Sequence, residues 1–462
     1  MNNQKILLLN IALRPNSKTA WLPIGIGYIA TALKKQGIVF DIFDIDANRY
    51  KDAQIESYLN NYKYDIYLIG TIVTGYSKIK KISKMIRSSN EAAIIICGNT
   101  VASSIPDIIL KKTEVNIAVI GEGDITIVKL VESISNNESI DKVQGIAYLD
   151  NNEVVMTEKR EVVIDIDTLP SIDWSVFDVE YYINKMRDSI ARPYPIPQNQ
   201  IRPFVINTAR GCPFRCSFCY HAFINNKYRF RSPESVISEI RNLQTLYNIN
   251  YVNFFDELTF HSKKHASDFA NTIIKNDIKL FWNADIRANL FKTGDEELLE
   301  RLKKSGCLAF GYSLESGSHV ILQHMNKKIS IDDFIEQKYV LDRAGIKSHT
   351  SIVLGYPEET IGTIRETFNV LKRAKIYPSA GFLLPQPGTP MYDYALKNNI
   401  IKDEEDYLER MGDRQDFYLN LTNISKEEFI KEVETQLSDL ACDMGVNLPK
   451  EQLIKTGTEI HN

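Results

Sequence analysis

Short apolar segments alternate with stretches of helical periodicity along most of the chain, and the alternation falls into two blocks. Within residues 1–145 the helix-period stretches include 27–36 and 77–88. The apolar segments of this block are residues 5–9, 39–43, 66–69, 93–97 and 117–120. Continuous apolar strands that alternate with helices indicate a parallel, doubly wound sheet. Ligands of such sheets bind at the carboxyl ends of the strands.

The alternation restarts near residue 201. Its apolar segments are residues 204–207, 251–255, 280–284, 308–314, 349–354 and 380–384. Six strand–helix units without a seventh or eighth predict a partial (β/α)6 barrel of the TIM type. Its functional residues are expected at the carboxyl ends of the strands.

Two stretches lie outside these blocks. Residues 146–200 read as a connector that begins with a hairpin, with strands at 146–149 and 154–156. The last part is acidic and helical, and the apolar spacing of its helix predicts that it packs on the body of the protein. We therefore divide the α/β chain into a sheet domain (1–145), the connector (146–200), the barrel (201–398) and a helical C-terminal region (399–462).

Composition narrows the function. The net charge of −4 over 462 residues gives no basic field, so nucleic acid is not an expected partner. No segment approaches the ~18 apolar residues of a membrane span. The apolar run near the N-terminus is too short for a signal peptide and is predicted to be the first strand. We expect a cytoplasmic protein that acts on a small-molecule or peptide substrate.

Three cysteines lie within eight residues, on the loop after the first barrel strand. They are Cys212, Cys216 and Cys219, with the spacing C-x3-C-x2-C. Three thiolates hold an iron–sulfur cluster with one iron open, and an open position marks a reactive metal centre. The alternative is a zinc site completed by His221, although zinc modules usually supply two separate ligand pairs.

The cysteine motif, with Phe218 before its last cysteine, resembles the signature of the radical S-adenosylmethionine (SAM) enzymes. The resemblance implies that the three cysteines hold a 4Fe–4S cluster whose fourth iron binds SAM. Cleavage of SAM by one electron then yields a 5′-deoxyadenosyl radical that abstracts hydrogen. An external electron donor of the flavodoxin or ferredoxin type is also implied. The other cysteines, Cys97, Cys307 and Cys442, are isolated and expected to be buried thiols.

Polar residues follow the barrel strands. Acidic groups suit the ammonium and ribose of SAM, and a guanidinium suits its carboxylate, although each could equally cap a helix or face solvent. By resemblance we assign SAM binding to Phe218, Asp256, Glu257, Arg287, Ser313, Glu315 and Gly355. Ser232 and Pro233 predict the start of the first barrel helix. The cations before it, Lys227, Arg229 and Arg231, are expected to be solvated, or Arg229 faces an anion.

Glycines mark the carboxyl edge of the first sheet. They allow close approach of a ligand, although strand–helix turns also need glycine, and the G-x-G-x-x-G nucleotide fingerprint is missing. The helix opening P-x-G-x-G-Y and the turn G-E-G-D resemble the cobalamin-binding radical SAM proteins. The implied cobalamin-binding residues are Pro23, Gly25, Gly27, Thr71, Thr74, Gly75, Gly98, Glu122 and Gly123. No histidine precedes His221, so cobalamin would be base-off and His-off.

The resemblance implies a methyltransferase that acts on an unactivated carbon or phosphorus through the adenosyl radical and methylcobalamin. One alternative is a non-methylating cyclase or ring-rearranging oxidoreductase. The other is a cobalamin- or redox-binding module without catalysis. Catalytic acids and bases and the substrate stay open, because a fold does not fix a function.

Overall fold

The computed structural model describes residues 4–15, 17–190, 194–221, 223–224, 226–412, 416–446 and 453–454. The chain forms two compact units. The first unit contains Met1–Lys185, Tyr220–Asn226 and Ile401–Met411. The second unit contains Met186–Cys219, Lys227–Ile400 and Gly412–Asn462.

A seven-stranded sheet forms the centre of the first unit, in the order β2-β1-β3-β4-β5-β6-β7. Its strands are β1 (Ile6–Asn10), β2 (Asp41–Asp44), β3 (Ile66–Gly70), β4 (Ile94–Gly98), β5 (Ile117–Val119), β6 (Ile146–Asp150) and β7 (Glu153–Met156). The first five strands are parallel, which confirms the predicted doubly wound sheet. The hairpin β6–β7 extends this sheet by antiparallel pairing of β6 with β5. Because Ile146 and Ala147 are buried in that pairing, the sheet continues beyond residue 145 and the connector starts after β7.

Helices cover both faces of this sheet. They are α1 (Ile24–Lys35), α2 (Ile45–Asn48), α3 (Asp52–Asn61), α4 (Tyr76–Ser89), α5 (Asn99–Ser104), α6 (Pro106–Lys112) and α7 (Gly123–Ser135). Leu33 of α1 and Leu130 of α7 are fully buried in one apolar cluster with Leu8 and Leu68 of the sheet. The connector ends in α8 (Val179–Arg187).

The second unit contains the six predicted barrel strands, the fifth in two pieces, and two short strands, β9 and β10, that were not predicted. They are β8 (Pro203–Ile206), β9 (Ala209–Arg210), β10 (Arg229–Phe230), β11 (Tyr251–Phe254), β12 (Phe281–Asp285), β13 (Cys307–Gly311), β14 (Lys347–His349), β15 (Ser351–Leu354) and β16 (Ser379–Phe382). β8, β11, β12, β13 and β14 form one parallel sheet, and β15 pairs in parallel with β16. A parallel bridge between Glu315 and Ile352 joins the two sheets. The strands thus follow one another as in a partial barrel, with the fifth strand divided at Thr350.

Helices follow these strands. They are α9 (Pro233–Tyr247), α10 (Lys263–Lys275), α11 (Glu296–Lys304), α12 (His319–His324), α13 (Ile331–Ala344), α14 (Ile361–Ala374), α15 (Pro390–Lys397), α16 (Glu404–Arg410) and α17 (Lys426–Asp443). The predicted start of α9 is confirmed, since Ser232 Oγ accepts the N–H of Ser235 at 3.2 Å. No helix among the described residues is long and apolar enough to cross a membrane.

The described part of the predicted C-terminal region contains two helices, and they belong to different units. α17 packs on α14 of the barrel, where Glu432 accepts from Arg365 at 2.8 Å. Its predicted apolar residues are fully buried: Phe429, Val433, Leu437 and Leu440. α16 belongs to the first unit, where Glu405 pairs with Lys80 of α4 at 2.7 Å.

Three local predictions are wrong. Arg229 and Arg231 are 5% and 8% exposed rather than solvated. Arg231 forms a buried ion pair with Glu239 of α9, because the arginine lies under the turn that starts this helix. Cys442 is exposed, since it lies on the outer face of α17, whereas Cys97 and Cys307 are buried as expected.

Candidate active site

The three cysteines lie on the loop between β9 and β10. These short strands pair in antiparallel register, with Arg210 opposite Arg229, and so close the base of the loop. Inside the loop, Cys219 N–H donates to the carbonyl of Cys216 at 3.2 Å. The local fold therefore gathers the thiols onto one short segment after the first barrel strand.

Ser217 fixes this loop to the rest of the barrel. Its N–H donates to the carbonyl of Met325 at 2.9 Å and its hydroxyl to the carbonyl of His324 at 2.8 Å. The Ser217 hydroxyl also lies 3.0 Å from that of Tyr356, which follows β15. Asn326 adds a bond from its side chain to the carbonyl of Arg215 at 2.7 Å. Sequence reasoning missed these contacts, because a serine between two cysteines gives no signal of its partners.

The thiols lie within electrostatic range of one another. Surrounding protein atoms, and then the thiols of Cys216 and Cys212, raise the pKa of Cys219 to about 12, although the residue remains accessible to solvent. Burial also raises the pKa of Cys212, while Arg287 and Lys327 act in the opposite direction. Thiols in this setting stay protonated at neutral pH unless metal ions supply compensating positive charge.

The donor set fits an iron–sulfur cluster better than zinc. Among the described residues, no group of three or more His, Cys, Asp or Glu side chains is placed to share one metal ion. Cysteine thiolates hold the separate irons of a cluster, whereas zinc takes all its ligands at a single centre.

Charged residues form a connected group beside the loop. Arg287 lies over the ring of Phe214 in the loop, 3.6 Å from the ring centre, and donates to the carbonyls of Lys327 and Lys328. Lys327 in turn pairs with Glu315 at 2.7 Å, with side chains that are 12% and 6% exposed. The structure thus brings two of the predicted SAM-binding residues together through a lysine that sequence reasoning missed.

Asp256 supports the cysteine loop from below. Its Oδ1 accepts the backbone N–H groups of Thr208 at 2.7 Å and Ala209 at 2.9 Å, and its Oδ2 accepts the Thr208 hydroxyl at 2.7 Å. Both oxygens are therefore used within the protein, just before the strand that leads into the loop. This arrangement makes Asp256 a support for the loop.

The next carboxylates open into the barrel mouth. Glu257 follows β11, and Asp285 is the last residue of β12. Both side chains are accessible to solvent. Surrounding protein atoms raise the pKa of each to about 7, and the charge of Asp256 adds to this effect. Asp285 pairs in register with Gly311, where any Cβ would overlap its carboxylate. Sequence reasoning did not select Asp285.

The remaining predicted SAM residues lie in the cysteine loop (Phe218) and just after β13 and β15 (Ser313 and Gly355). Phe218 meets the ring of Tyr356 edge-on at 6.4 Å, and the Ser313 hydroxyl lies 2.7 Å from that of Ser351. Gly355 has φ +103°, a conformation that favours glycine. Its N–H donates to the buried Glu359 at 3.1 Å.

The predicted cobalamin residues of the first unit fall into two groups. At Gly27 a Cβ would come within 2.7 Å of Ile172, and at Gly75 it would overlap Thr71, so these glycines serve helix packing. By contrast, Gly98 has no other atom within 4 Å of its Cβ position, and Gly25 has only Asn99 at 4.0 Å.

The other predicted positions lie at the same edge of the sheet. Pro23 and Glu122 immediately precede α1 and α7, and Gly123 begins α7. Thr71 is buried and Thr74 lies in a short 3-10 turn after β3. Sequence reasoning missed Ile72 beside them, whose side chain is 46% exposed. The edge therefore offers open backbone and an uncovered apolar side chain to a large ligand.

Fold and site together define an α/β protein. Its partial barrel carries three clustered thiols, and its seven-stranded sheet has glycines along the carboxyl edge. Family comparison matches residues 206–371 to the radical SAM superfamily and residues 12–131 to the B12-binding domain. The chain therefore belongs to the radical SAM enzymes that carry a B12-binding domain.

The individual relatives share little sequence identity with this chain, but their similarity extends over most of its length. An uncharacterized methyltransferase of Pyrococcus horikoshii is 26% identical over 87% of this chain and 85% of its own length. The anaerobic magnesium-protoporphyrin IX monomethyl ester cyclase of Rubrivivax gelatinosus is 27% identical over 76% of this chain and 62% of its own length. The solved structure of the radical SAM methyltransferase TsrM from Kitasatospora setae shares the fold, with a TM-score of 0.69 at 19% identity over 86% of this chain and 77% of its own.

Proposed function

We propose that this protein is a cobalamin-dependent radical SAM methyltransferase that acts on an unactivated carbon or phosphorus. The observation that carries the proposal is the relative named as a methyltransferase, whose similarity extends over both units of this chain. When bound, the cluster and SAM supply the radical that removes hydrogen from the substrate, and cobalamin supplies the methyl group.

The residues of the barrel have separate roles in this proposal. Cys212, Cys216 and Cys219 hold the cluster. We assign the carboxylate of SAM to Lys327, and its ammonium or ribose hydroxyls to Glu315, because the two paired side chains carry opposite charges. Glu257 and Asp285, at the strand ends, offer carboxyl groups to the cationic cosubstrate, whose positive charge would favour their ionised form. We assign SAM binding to Phe218, Asp256, Glu257, Arg287, Ser313, Glu315 and Gly355, with Asp256 acting through the loop that it supports.

The sheet edge has the complementary role. We assign cobalamin binding to Gly25, Gly98, Thr74, Glu122 and Gly123, of which Gly25 and Gly98 leave open space at their Cβ positions. Pro23, Gly27, Thr71 and Gly75 then shape this edge by packing. Because no histidine precedes His221, we expect cobalamin to bind base-off and His-off. An external flavodoxin- or ferredoxin-type protein would supply electrons, and a reducing cytoplasm would protect the thiols.

Anaerobic reconstitution with cluster, cobalamin, a reductant and SAM labelled as the CD3 sulfonium tests the proposal without knowledge of the substrate. We expect 5′-deoxyadenosine together with CD3-labelled cobalamin, both measured by mass spectrometry. Absence of the label from extracted cobalamin would contradict methyl transfer.

A cyclase or ring-rearranging enzyme is the second candidate, supported by the similarity to the magnesium-protoporphyrin cyclase. This chain spans only 62% of that relative's length. The similarity is therefore a weaker reason to assign the cyclase activity to this chain. Formation of 5′-deoxyadenosine without labelled cobalamin would favour this candidate.

A further inference from the structure

A cavity of about 350 Å³ lies in the first unit, beside the antiparallel end of its sheet. Its wall includes Ile120 and Gly121 after β5, Ile146 of β6 and Met156 of β7. Tyr220 also lines the cavity, and it directly follows Cys219 in the chain. The volume is at the lower end of the roughly 300–1,000 Å³ that small-molecule sites occupy.

Arg160 gives this cavity a fixed cation. Its Nε donates to the hydroxyl of the buried Thr126 at 2.8 Å, and one terminal nitrogen reaches the carbonyl of Gln144 at 3.5 Å. Among the residues that the structure describes, no carboxylate pairs with this guanidinium. Burial lowers the pKa of Arg160, as expected for a guanidinium that has lost water without gaining a counter-ion.

The chain makes room for this arginine. Gly145 has φ +79°, and a Cβ there would approach the Thr126 hydroxyl at 3.2 Å and the Arg160 Cβ at 3.4 Å. A side chain at residue 145 would therefore displace Arg160 or Thr126 from the positions in which they contact each other. Because Nε is already hydrogen-bonded to Thr126, the other edge of the guanidinium remains for an anion such as a carboxylate or a sulfonate.

The rest of the wall restricts what this anion is. Met156 and Ile125 line the cavity and are 57% and 39% exposed, so apolar surface is uncovered there. Three carboxylates, those of Glu122, Asp124 and Glu161, line the cavity with two cations, Lys159 and Arg160. The remaining negative charge of the wall would repel a polyanion such as a nucleoside triphosphate. A ligand with an apolar body and a single negative group would match both the apolar part and the charged part of the cavity wall.

We propose that this cavity binds an organic monoanion with an apolar body, held by Arg160. The assignment rests on the proposed function in one respect: Glu122, which lines the cavity, is also assigned to cobalamin, so bound cobalamin must leave the cavity free. The site selects its ligand by one charge and by apolar contact.

Calorimetric titration of the full, cofactor-loaded protein with 8-anilinonaphthalene-1-sulfonate tests the cavity. The neutral N-phenyl-1-naphthylamine serves as the comparison ligand. We expect Arg160→Gln to weaken sulfonate binding about tenfold or more, as the loss of a charge-assisted hydrogen bond predicts, and to leave the neutral ligand unchanged. Arg160→Lys should recover part of the affinity. Met156→Gln, at an exposed position, should weaken both ligands.

Arg373→Gln provides the matched control, since Arg373 is an exposed arginine of α14. Equal sulfonate affinity in the Arg160 and Arg373 variants would overturn the proposal. Loss of bound cobalamin from Arg160→Gln would also overturn it, because the cavity would then belong to the cofactor. The titration contains no SAM, so it reports on the cavity independently of the labelled-methyl experiment.

Discussion

The strand ends of the barrel and the strand ends of the seven-stranded sheet carry different kinds of surface. At the barrel, charged side chains contact one another, as in the buried pair of Lys327 and Glu315. At the sheet, the carboxyl edge exposes backbone at the predicted position Gly98 and an apolar side chain at Ile72, which was not predicted. A small charged ligand needs side chains that match its charges, whereas a large ring needs room and apolar contact.

The contrast shows that two parallel sheets can use the same edge in different ways. Substitutions at the barrel should change the cluster and SAM, and substitutions at the sheet edge should change cobalamin alone. The predictions below test this separation.

Removal of any cluster cysteine should have the largest effect. Cys212→Ala, Cys216→Ala or Cys219→Ala is expected to lose bound iron and sulfide and to abolish 5′-deoxyadenosine formation, because each thiolate holds one iron. Cobalamin content should stay at the wild-type level. Cys442→Ala is the control, since this exposed cysteine lies on α17. Retention of a complete cluster in Cys216→Ala would refute the assignment.

Lys327→Met should produce the next largest effect. It leaves Glu315 as a buried charge without its partner, and such a change costs about 3 kcal/mol or more. Urea denaturation followed by tryptophan fluorescence measures this loss, and the fully buried Trp282 of β12 is one of the three tryptophans that contribute. The double variant Lys327→Met with Glu315→Gln should recover part of the stability. SAM affinity should fall in both variants, whereas equal stability of wild type and Lys327→Met would disprove the coupling.

The sequence predicted strands and the cysteine loop because both are local patterns. Apolar runs such as 66–69 and 251–255 lie within a residue or two of β3 and β11. Contacts between distant segments were less accessible. In the sequence, Lys327 resembles a surface lysine and Arg231 resembles a solvated arginine. No local pattern indicates that Glu315 pairs with Lys327 or that Glu239 pairs with Arg231.

The split among the glycines illustrates the same limit. Gly75 and Gly98 follow neighbouring strands and look equivalent in sequence, yet one is packed against Thr71 and the other is open. The hairpin β6–β7 was predicted as a hairpin, but its pairing with β5 depends on which edge of the sheet is free. Burial and pairing over long distances decided each of these outcomes.

Gly98→Val tests whether the carboxyl edge of the seven-stranded sheet can be changed without an effect on the barrel site. The backbone at Gly98 is extended and its Cβ direction is open, so the fold accepts valine. We expect the branched side chain to clash with cobalamin at a cost of about 1–3 kcal/mol, which weakens retention about tenfold. Cluster content and melting temperature should not change. Gly75→Ala should instead lower the melting temperature, because its Cβ overlaps Thr71 and Leu13.

The smallest effect should be a change in the pH dependence of stability. Surrounding protein atoms, and then Asp256, raise the pKa of Asp285 from 3.8 to about 7. The folded protein therefore keeps a proton that the unfolded chain releases, so this group lowers stability as pH rises from about 4 to 7. Asp285→Asn should gain stability relative to wild type at about pH 8 and show less gain at about pH 5. Asp333→Asn should show the opposite sign, because Lys292 lowers the pKa of Asp333. Equal differences at both pH values in urea denaturation would show that Asp285 is already ionised in the folded barrel.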